Sequence, residues 1–147
     1  MDFETAVKLH VYETFAETTK APTSSEVAEA LNCSPAEVEE AFAGLRGKRL
    51  LVLEPETPSR IRMAPPFSGI ETSFRVRVGE KAYYANCVWD SLGIPAALHQ
   101  DARVDASDGL TGEPLDLEAR GGAVLPRPFA AHFAVPAAHW WDDIVYT

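Results

Sequence analysis

Residues 83–95, YYANCVWDSLGIP, hold a thiol and a carboxylate at a spacing that could serve chemistry. Cys87 precedes Asp90 by three positions, so in a helix both side chains project from nearly the same face. The segment predicts a short helix that Asn86 caps, with Cys87 at its first position. There, unpaired backbone N–H groups and the positive end of the helix dipole would favour the thiolate, the better nucleophile and soft-metal ligand.

Asp90 has neighbours that suit it to hold a proton. If aromatic and apolar side chains exclude water from the carboxylate, its pKa rises and it can act as an acid. These neighbours are Tyr83, Tyr84, Val88 and Trp89. Cys-x-x-Asp is a weak pattern, however, and the spacing alone favours a core cysteine beside a solvated helix carboxylate.

The overall charge of the chain excludes some classes of partner. Its 147 residues carry 22 acidic and 13 basic side chains, a net charge of −9. A surface that neutralises phosphates needs excess Lys and Arg, so nucleic acids and membrane surfaces are disfavoured. The chain has no apolar run of about 20 residues and no signal-peptide pattern at its start, which predicts a cytoplasmic protein. In that compartment Cys33 and Cys87 are expected to be free thiols.

Residues 1–65 have the pattern of a winged helix-turn-helix. Apolar spacing and capping residues predict three helices, over residues 5–19, 23–31 and 35–47, in which Ala30 is among the inward-facing residues. Two strands follow, at 49–55 and 59–65, around the turn ETPS. Pro65 and Pro66 mark the expected boundary with a second unit.

DNA binding by this N-terminal unit is disfavoured by its charge. It carries 7 basic and 11 acidic side chains, a net of −4. The third helix presents Glu37, Glu39 and Glu40 where recognition helices carry Arg, Lys, Asn or Gln. We therefore expect a structural or dimerising module, with Cys33 as a small buried residue.

Residues 66–147 are expected to form a small α+β core with a mixed or antiparallel sheet and short helices. A hairpin turning at Gly79 and Glu80 precedes the Cys87 helix, which Gly93 should end because Pro95 opposes its continuation. Further strand candidates are ARVDAS, PLDLEA, GAVLPR and AAHFAVP, and the end DDIVYT is also strand-like.

Residues 83–117 resemble the core of the alkylmercury lyase family, the organomercurial lyases. That family has the form aromatic-x-x-Cys-x-x-Asp-x-Leu-x-x-Pro-Ala-Leu, then a strand resembling ARV and a Thr-Gly turn. The family also places a winged-helix-like module before this core. The matching residues are Cys87, Asp90, Leu92, Pro95, Ala96, Leu98, Ala102, Arg103, Val104, Thr111 and Gly112.

The resemblance implies an enzyme that cleaves carbon–mercury bonds by protonolysis. It implies that Cys87 and Asp90 are catalytic and contact the metal: the Cys87 thiolate binds mercury and Asp90 donates or relays the proton. This suits the residue types, because Hg(II) prefers soft thiolate and the departing carbon needs an acid. It implies no cofactor, since mercury enters with the organomercurial substrate, and small cellular thiols that remove the product.

The chain departs from the family at the second catalytic cysteine. No cysteine follows Cys87, and by alignment with the family the second one would fall just after Thr147. Three explanations stay open: an incomplete C-terminus, a relative without this thiol, or substitution by Cys33. Asp108 also stands where some family members have a structural cysteine.

Two further hypotheses compete with this interpretation. One is a separate metal site, and its candidate ligands are His99, His132, His139, Asp142 and Asp143, which have no recognised ligand spacing. The other is a non-catalytic metal- or thiol-responsive binding protein, or a winged-helix transcriptional regulator. The sequence leaves the oligomeric state open.

Overall fold

The structure is a computed structural model that describes residues 1–145. Four α-helices span Phe3–Thr18 (α1), Ser24–Leu31 (α2), Pro35–Gly47 (α3) and Val88–Leu98 (α4). Eight strands span Val52–Glu54 (β1), Thr57–Ala64 (β2), Phe67–Ser68 (β3), Phe74–Val78 (β4), Lys81–Ala85 (β5), Ala102–Ser107 (β6), Pro114–Arg120 (β7) and Ala123–Val124 (β8). A 3₁₀ helix covers Ala137–Asp142.

The first three helices form where capping and apolar spacing predict them. Val7, Val11 and Phe15 are buried along one face of α1. Thr23 and Ser34 each form a capping box with the glutamate three positions later, so two free backbone N–H groups are satisfied at each helix start. The inward face of α2 differs from the prediction: Ala28 is buried and Ala30 is exposed, because the buried side follows i, i+3 and i+4 from Ser24.

The strands form one antiparallel sheet in the order β1-β2-β3-β5-β4-β6-β7-β8. The hairpin that turns at Gly79 and Glu80 is confirmed as β4 and β5. The two-residue β3 pairs with β2 on one side and with β5 on the other through Phe67. The sheet therefore continues across the Pro65–Pro66 segment, and the boundary between residues 1–65 and 66–147 stays a prediction.

Helix α1 packs onto the strands that lead to the Cys87 segment. The Phe15 ring stacks on Phe67 with centroids 5.3 Å apart, and Phe67 lies 5.6 Å from Tyr83. The Tyr83 hydroxyl donates to the Ala16 carbonyl oxygen over 2.7 Å. These contacts join the N-terminal helices and β3–β5 in one buried cluster.

The expected α+β class with an antiparallel sheet is confirmed, but several element bounds differ. The first hairpin turns at Pro55 and Glu56, and β2 starts at Thr57. Residues 130–136 are not a strand, because prolines at 126, 128 and 136 remove backbone donors around this mostly exposed segment. In DDIVYT, residues 142–145 form the end of the 3₁₀ helix, a bend and a turn, and residues 146–147 lie outside the described part.

Helix α4 is longer than predicted and starts one residue later. Cys87 is its N-cap, and it continues past Gly93 to Leu98 with Pro95 inside it. Gly93 brings the helix close to Pro66, since a Cβ added there would lie 3.0 Å from the Pro66 Cβ. The helix interior tolerates Pro95 because Ile94 and Pro95 are buried against the sheet, and this packing outweighs the lost hydrogen bond. Among residues 1–145, none of the helices has the length and apolar character needed to cross a bilayer.

Candidate active site

Cys87 lies where the chain leaves the sheet and enters α4. Strand β5 ends at Ala85, and Cys87 has an extended backbone with φ −153° and ψ 179°. The buried face of α4, which includes Ser91 and Ile94, holds the helix on β4, β5 and β6. The N-terminus of the helix, with Cys87 and Asp90, is thus fixed by packing against the sheet.

The Cys87 thiol is half-buried, and burial controls its ionisation. Burial raises the pKa of the Cys87 thiol, and the charge of Asp90 raises it further. The backbone amides of Asp90 and Trp89 act in the opposite direction, although the sulfur makes no capping hydrogen bond to either. The expected preference for thiolate is therefore wrong for the ligand-free site, because desolvation outweighs the amides.

The Asp90 carboxyl has the raised pKa that its surroundings predict. Burial raises the pKa of Asp90, and a hydrogen bond from the Asn86 side chain lowers it by less. The source of the burial differs in part from the prediction, since Trp89 is 64% exposed. Asp90 at rest can consequently hold a proton at a higher pH than an ordinary aspartate.

Tyr12, on α1, interacts electrostatically with Asp90, which the sequence did not reveal. Burial and then the charge of Asp90 raise the pKa of Tyr12. Its hydroxyl donates to the Pro65 carbonyl oxygen over 3.0 Å, and its ring meets Phe67 edge-on at 6.4 Å. Tyr12 adjoins the apolar stripe of α1, and no motif links it to Asp90.

Asn86 binds Asp90 instead of capping the helix. Its Nδ2 donates to Oδ2 of Asp90 over 2.8 Å and to the Phe67 carbonyl oxygen over 3.3 Å. Among the described residues, Oδ1 of Asn86 is buried without a hydrogen-bond partner. The predicted cap was wrong: a cap would need Oδ1 to accept a backbone N–H of the helix, whereas the two bonds of the NH₂ group orient the amide toward Asp90 and Phe67, and Cys87 holds the N-cap position.

The structure brings Cys87 and Asp90 together and leaves the other candidates elsewhere. Cys33 lies in the turn between α2 and α3, half-buried against the core as a small apolar side chain. His139 Nδ1 lies 2.9 Å from Oδ2 of Asp142 on the 3₁₀ helix. Within residues 1–145, no cluster of three or more His, Cys, Asp or Glu side chains is arranged to hold a metal ion.

Asp108 has a structural position. Its carboxylate accepts hydrogen bonds from the backbone N–H groups of Leu110 and Thr111 at 2.9 and 2.7 Å. These bonds lower the pKa of Asp108 and shape the turn before Gly112, which has a φ of 74°. The Thr-Gly turn of the sequence is therefore held by this carboxylate.

An apolar cleft lies beside α4. Its volume is about 800 Å³, and Val88 and Leu92 form the helix side of its wall. Phe74, Leu115, Leu117 and Phe129 supply further apolar lining. Cys87 and Asp90 do not line this cleft, so the thiol and the carboxyl form a separate feature at the start of the helix.

Comparisons with known proteins find one family model and a similar fold. Residues 67–147, more than half of the chain, match the family model described as MerB, alkylmercury lyase. Among solved structures, the chain is similar to one described as the mercury-bound form of MerB2, with a TM-score of 0.66 and 20% identity. This match covers 86% of the chain but 60% of the MerB2 chain, and at this identity it shows a shared fold. A comparison with curated proteins finds no match.

Proposed function

The chain belongs to the alkylmercury lyase family, and we propose that it cleaves the carbon–mercury bond of an organomercurial by protonolysis. In this proposal Cys87 binds the mercury and Asp90 supplies the proton to the carbon. One observation carries it: a half-buried thiol adjoins a half-buried carboxyl whose raised pKa suits it to carry a proton. The description of the MerB2 structure as mercury-bound supports the choice of substrate.

The first step exchanges the thiol proton for mercury. Because burial raises its pKa, the resting Cys87 holds its proton. As the S–Hg bond forms, the thiol loses that proton and the ligand that mercury carried opposite its carbon leaves as an anion. The Asp90 carboxylate is the adjacent base, and its raised pKa favours acceptance of the proton. Binding thus places the organomercurial and one proton at the start of α4.

The second step breaks the carbon–mercury bond. The electron pair of that bond takes the proton of Asp90, so a hydrocarbon leaves and Asp90 becomes a carboxylate. The mercury stays on the Cys87 sulfur as a cation with one open position. Mercury, carbon and sulfur keep their oxidation states in this electrophilic exchange, so no oxidant or reductant is consumed.

A small cellular thiol is proposed to complete the coordination and to remove the product. Hg(II) favours two sulfur ligands in a line, and Cys87 supplies one of them. An external thiolate can occupy the open position and then a second can displace Cys87. This supply of small thiols is consistent with a cytoplasmic place of action.

The N-terminal helices and the β1–β2 hairpin are proposed to act as a winged-helix scaffold for the site. Tyr12 and the Pro65 carbonyl join this unit to the surroundings of Asp90. The glutamates of α3 serve structural roles, since Glu37 completes a capping box and Glu39 accepts a hydrogen bond from Ser24. Neither contact favours the alternative of a DNA-binding regulator.

Hydrocarbon release from a phenylmercury compound with excess small thiol tests the proposal. We expect Cys87→Ala and Asp90→Ala to release benzene at least about 100-fold more slowly than the wild type, because each removes a group that touches the reacting atoms. Cys33→Ala is the matched control and should keep the wild-type rate. Equal background release by all four proteins would reject the catalytic assignment.

A further inference from the structure

Asn86 joins the end of β5 to the N-cap of α4, and its side chain lies between the helix and strand β3. One nitrogen, Nδ2, donates to Oδ2 of Asp90 at 2.8 Å and to the backbone oxygen of Phe67 at 3.3 Å. The carboxyl of Asp90 is thereby tied to a strand of the sheet as well as to its own helix.

The Phe67 carbonyl fixes which end of the Asn86 amide faces Asp90. The oxygen and nitrogen ends of a side-chain amide have nearly the same shape, so the hydrogen-bond partners decide its orientation. With the amide reversed, its oxygen would face two acceptors, the Phe67 carbonyl and the Asp90 carboxyl. The NH₂ group therefore holds Oδ2 of Asp90, and Oδ1 is left to carry a transferable proton.

The opposite end of the Asn86 amide has no comparable role. Among residues 1–145, its Oδ1 is buried and has no hydrogen-bond partner. A buried acceptor without a partner is unfavourable for folding. Packing therefore does not account for an amide at this position, whereas its contact with Asp90 does.

We propose that Asn86 is a positioning residue that holds Oδ2 of Asp90 so that the proton for the carbon is carried on Oδ1. This inference rests on the proposed function, because it concerns the same proton transfer. Without the amide, the carboxyl can rotate about its side-chain bonds, and small misplacements of a reacting group slow catalysis strongly. Mercury binding does not use the amide, so it should persist.

Asn86→Leu tests this role, because leucine has a similar size and no donor. We expect its kcat for benzene release to fall about 10- to 100-fold, with the dissociation constant for phenylmercury unchanged. The solvent deuterium isotope effect on kcat should increase, because proton transfer then limits the rate more fully. If the variant merely contained an unfolded, inactive fraction, kcat would fall but the isotope effect would stay the same. Ser91→Ala is the matched control, since it removes a buried hydroxyl on α4 that donates to the Val88 carbonyl oxygen at 2.6 Å.

A second measurement keeps the test decisive if Asn86→Leu does not fold. Asn32 and Asn86 are the two asparagines of the chain, so labelling with side-chain ¹⁵N-asparagine gives two NH₂ signals. Asp90→Ala should shift the Asn86 signal, with exposed Asn32 as the internal reference.

The outcomes separate this inference from the proposed function. Two results overturn the positioning role alone, provided that the wild-type protein releases benzene. One is an Asn86 signal that Asp90→Ala does not shift. The other is an Asn86→Leu variant whose kcat and isotope effect equal those of the wild type. If the wild type releases no benzene with thiol present, the proposed function fails and the positioning role fails with it.

Discussion

At the scale of single residues, the chemistry of the site follows from the burial of two ionisable groups beside each other. Cys87 holds the N-cap of α4, where backbone amides favour its thiolate, yet burial raises the pKa of its thiol. Burial raises the pKa of Asp90 as well. The thiol thus holds its proton, and the carboxylate binds a proton more readily than an ordinary aspartate. A soft metal can therefore displace the thiol proton, and Asp90 can accept it and pass it to the carbon.

Alkylation of Cys87 should show this raised pKa directly. In Cys33→Ala, Cys87 is the one remaining thiol of the chain, and its alkylation rate follows the thiolate fraction. We expect the rate to rise with pH through a midpoint above that of a cysteine peptide measured alongside. Asp90→Ala should lower the midpoint, because the charge of Asp90 raises the pKa of the thiol. A midpoint below that of the peptide would contradict the dominance of burial.

Asp90 should cost stability at neutral pH. Its pKa is higher in the folded state than in the unfolded chain, so the folded state binds more protons between the two values. Stability therefore falls as the pH rises through that window. Asp90→Asn removes the charge, and urea unfolding at pH 7 should show a variant more stable than the wild type. That gain should shrink as the pH falls through the same window and should be absent below the ordinary aspartate pKa; a variant less stable at pH 7 would refute this sign.

At the scale of elements, the sequence predicts structure well where local signals act alone. The apolar spacing of α1, the hydroxyl cap at Thr23, the cap at Ser34 with Glu37 at N3, and the turn at Gly79 all appear as predicted. The extent of α4 was not predictable, because it depends on burial of Pro95 against the sheet and on the approach of Gly93 to Pro66. The two-residue β3 carries too little pattern to detect, although Phe67 is central to the site.

The capping box of α3 gives a prediction at this scale. Ser34→Ala removes the hydroxyl that accepts from the Glu37 backbone N–H, and we expect a loss of about 1 kcal/mol in the free energy of unfolding at pH 7. The same box lowers the pKa of Glu37, so its contribution is present at neutral pH and is lost as the pH falls through that lowered value. Urea unfolding should show a smaller difference between variant and wild type in acid than at neutral pH, because the bond from the Ser34 hydroxyl to the Glu37 carboxylate is lost there while the bond from the Glu37 backbone N–H remains. A constant difference would count against the reciprocal contact.

At the scale of the whole molecule, the site depends on both halves of the chain. The sheet continues from β1 to β8, and one buried cluster includes residues of α1, α3 and the central strands. Cys87 and Asp90 were predictable as a pair from the resemblance of residues 83–117 to the alkylmercury lyase core, since their spacing alone is a weak pattern. The contributions of Tyr12 and Phe67 come from segments far away in sequence, so only the fold reveals them.

Phe15→Ala should test how closely the two halves are joined. Phe15 is buried and stacks on Phe67 across the predicted boundary, so its truncation should cost about 3–5 kcal/mol. We expect circular dichroism and the fluorescence of the three tryptophans to follow one shared unfolding transition, shifted to lower temperature. Two separate transitions, of which only that of residues 1–65 is shifted, would indicate that residues 1–65 and 66–147 fold independently.

The most direct measurement of the central claim is the mass of the protein after a single turnover with phenylmercury. Cys33→Ala leaves Cys87 as the one thiol, and the comparison is the same protein with Asp90→Ala added. We predict that the first protein releases benzene and retains mercury without its phenyl group, whereas the second retains intact phenylmercury on Cys87. Equal benzene release by both proteins, or intact phenylmercury on both, would contradict proton delivery by Asp90 to a carbon held at Cys87.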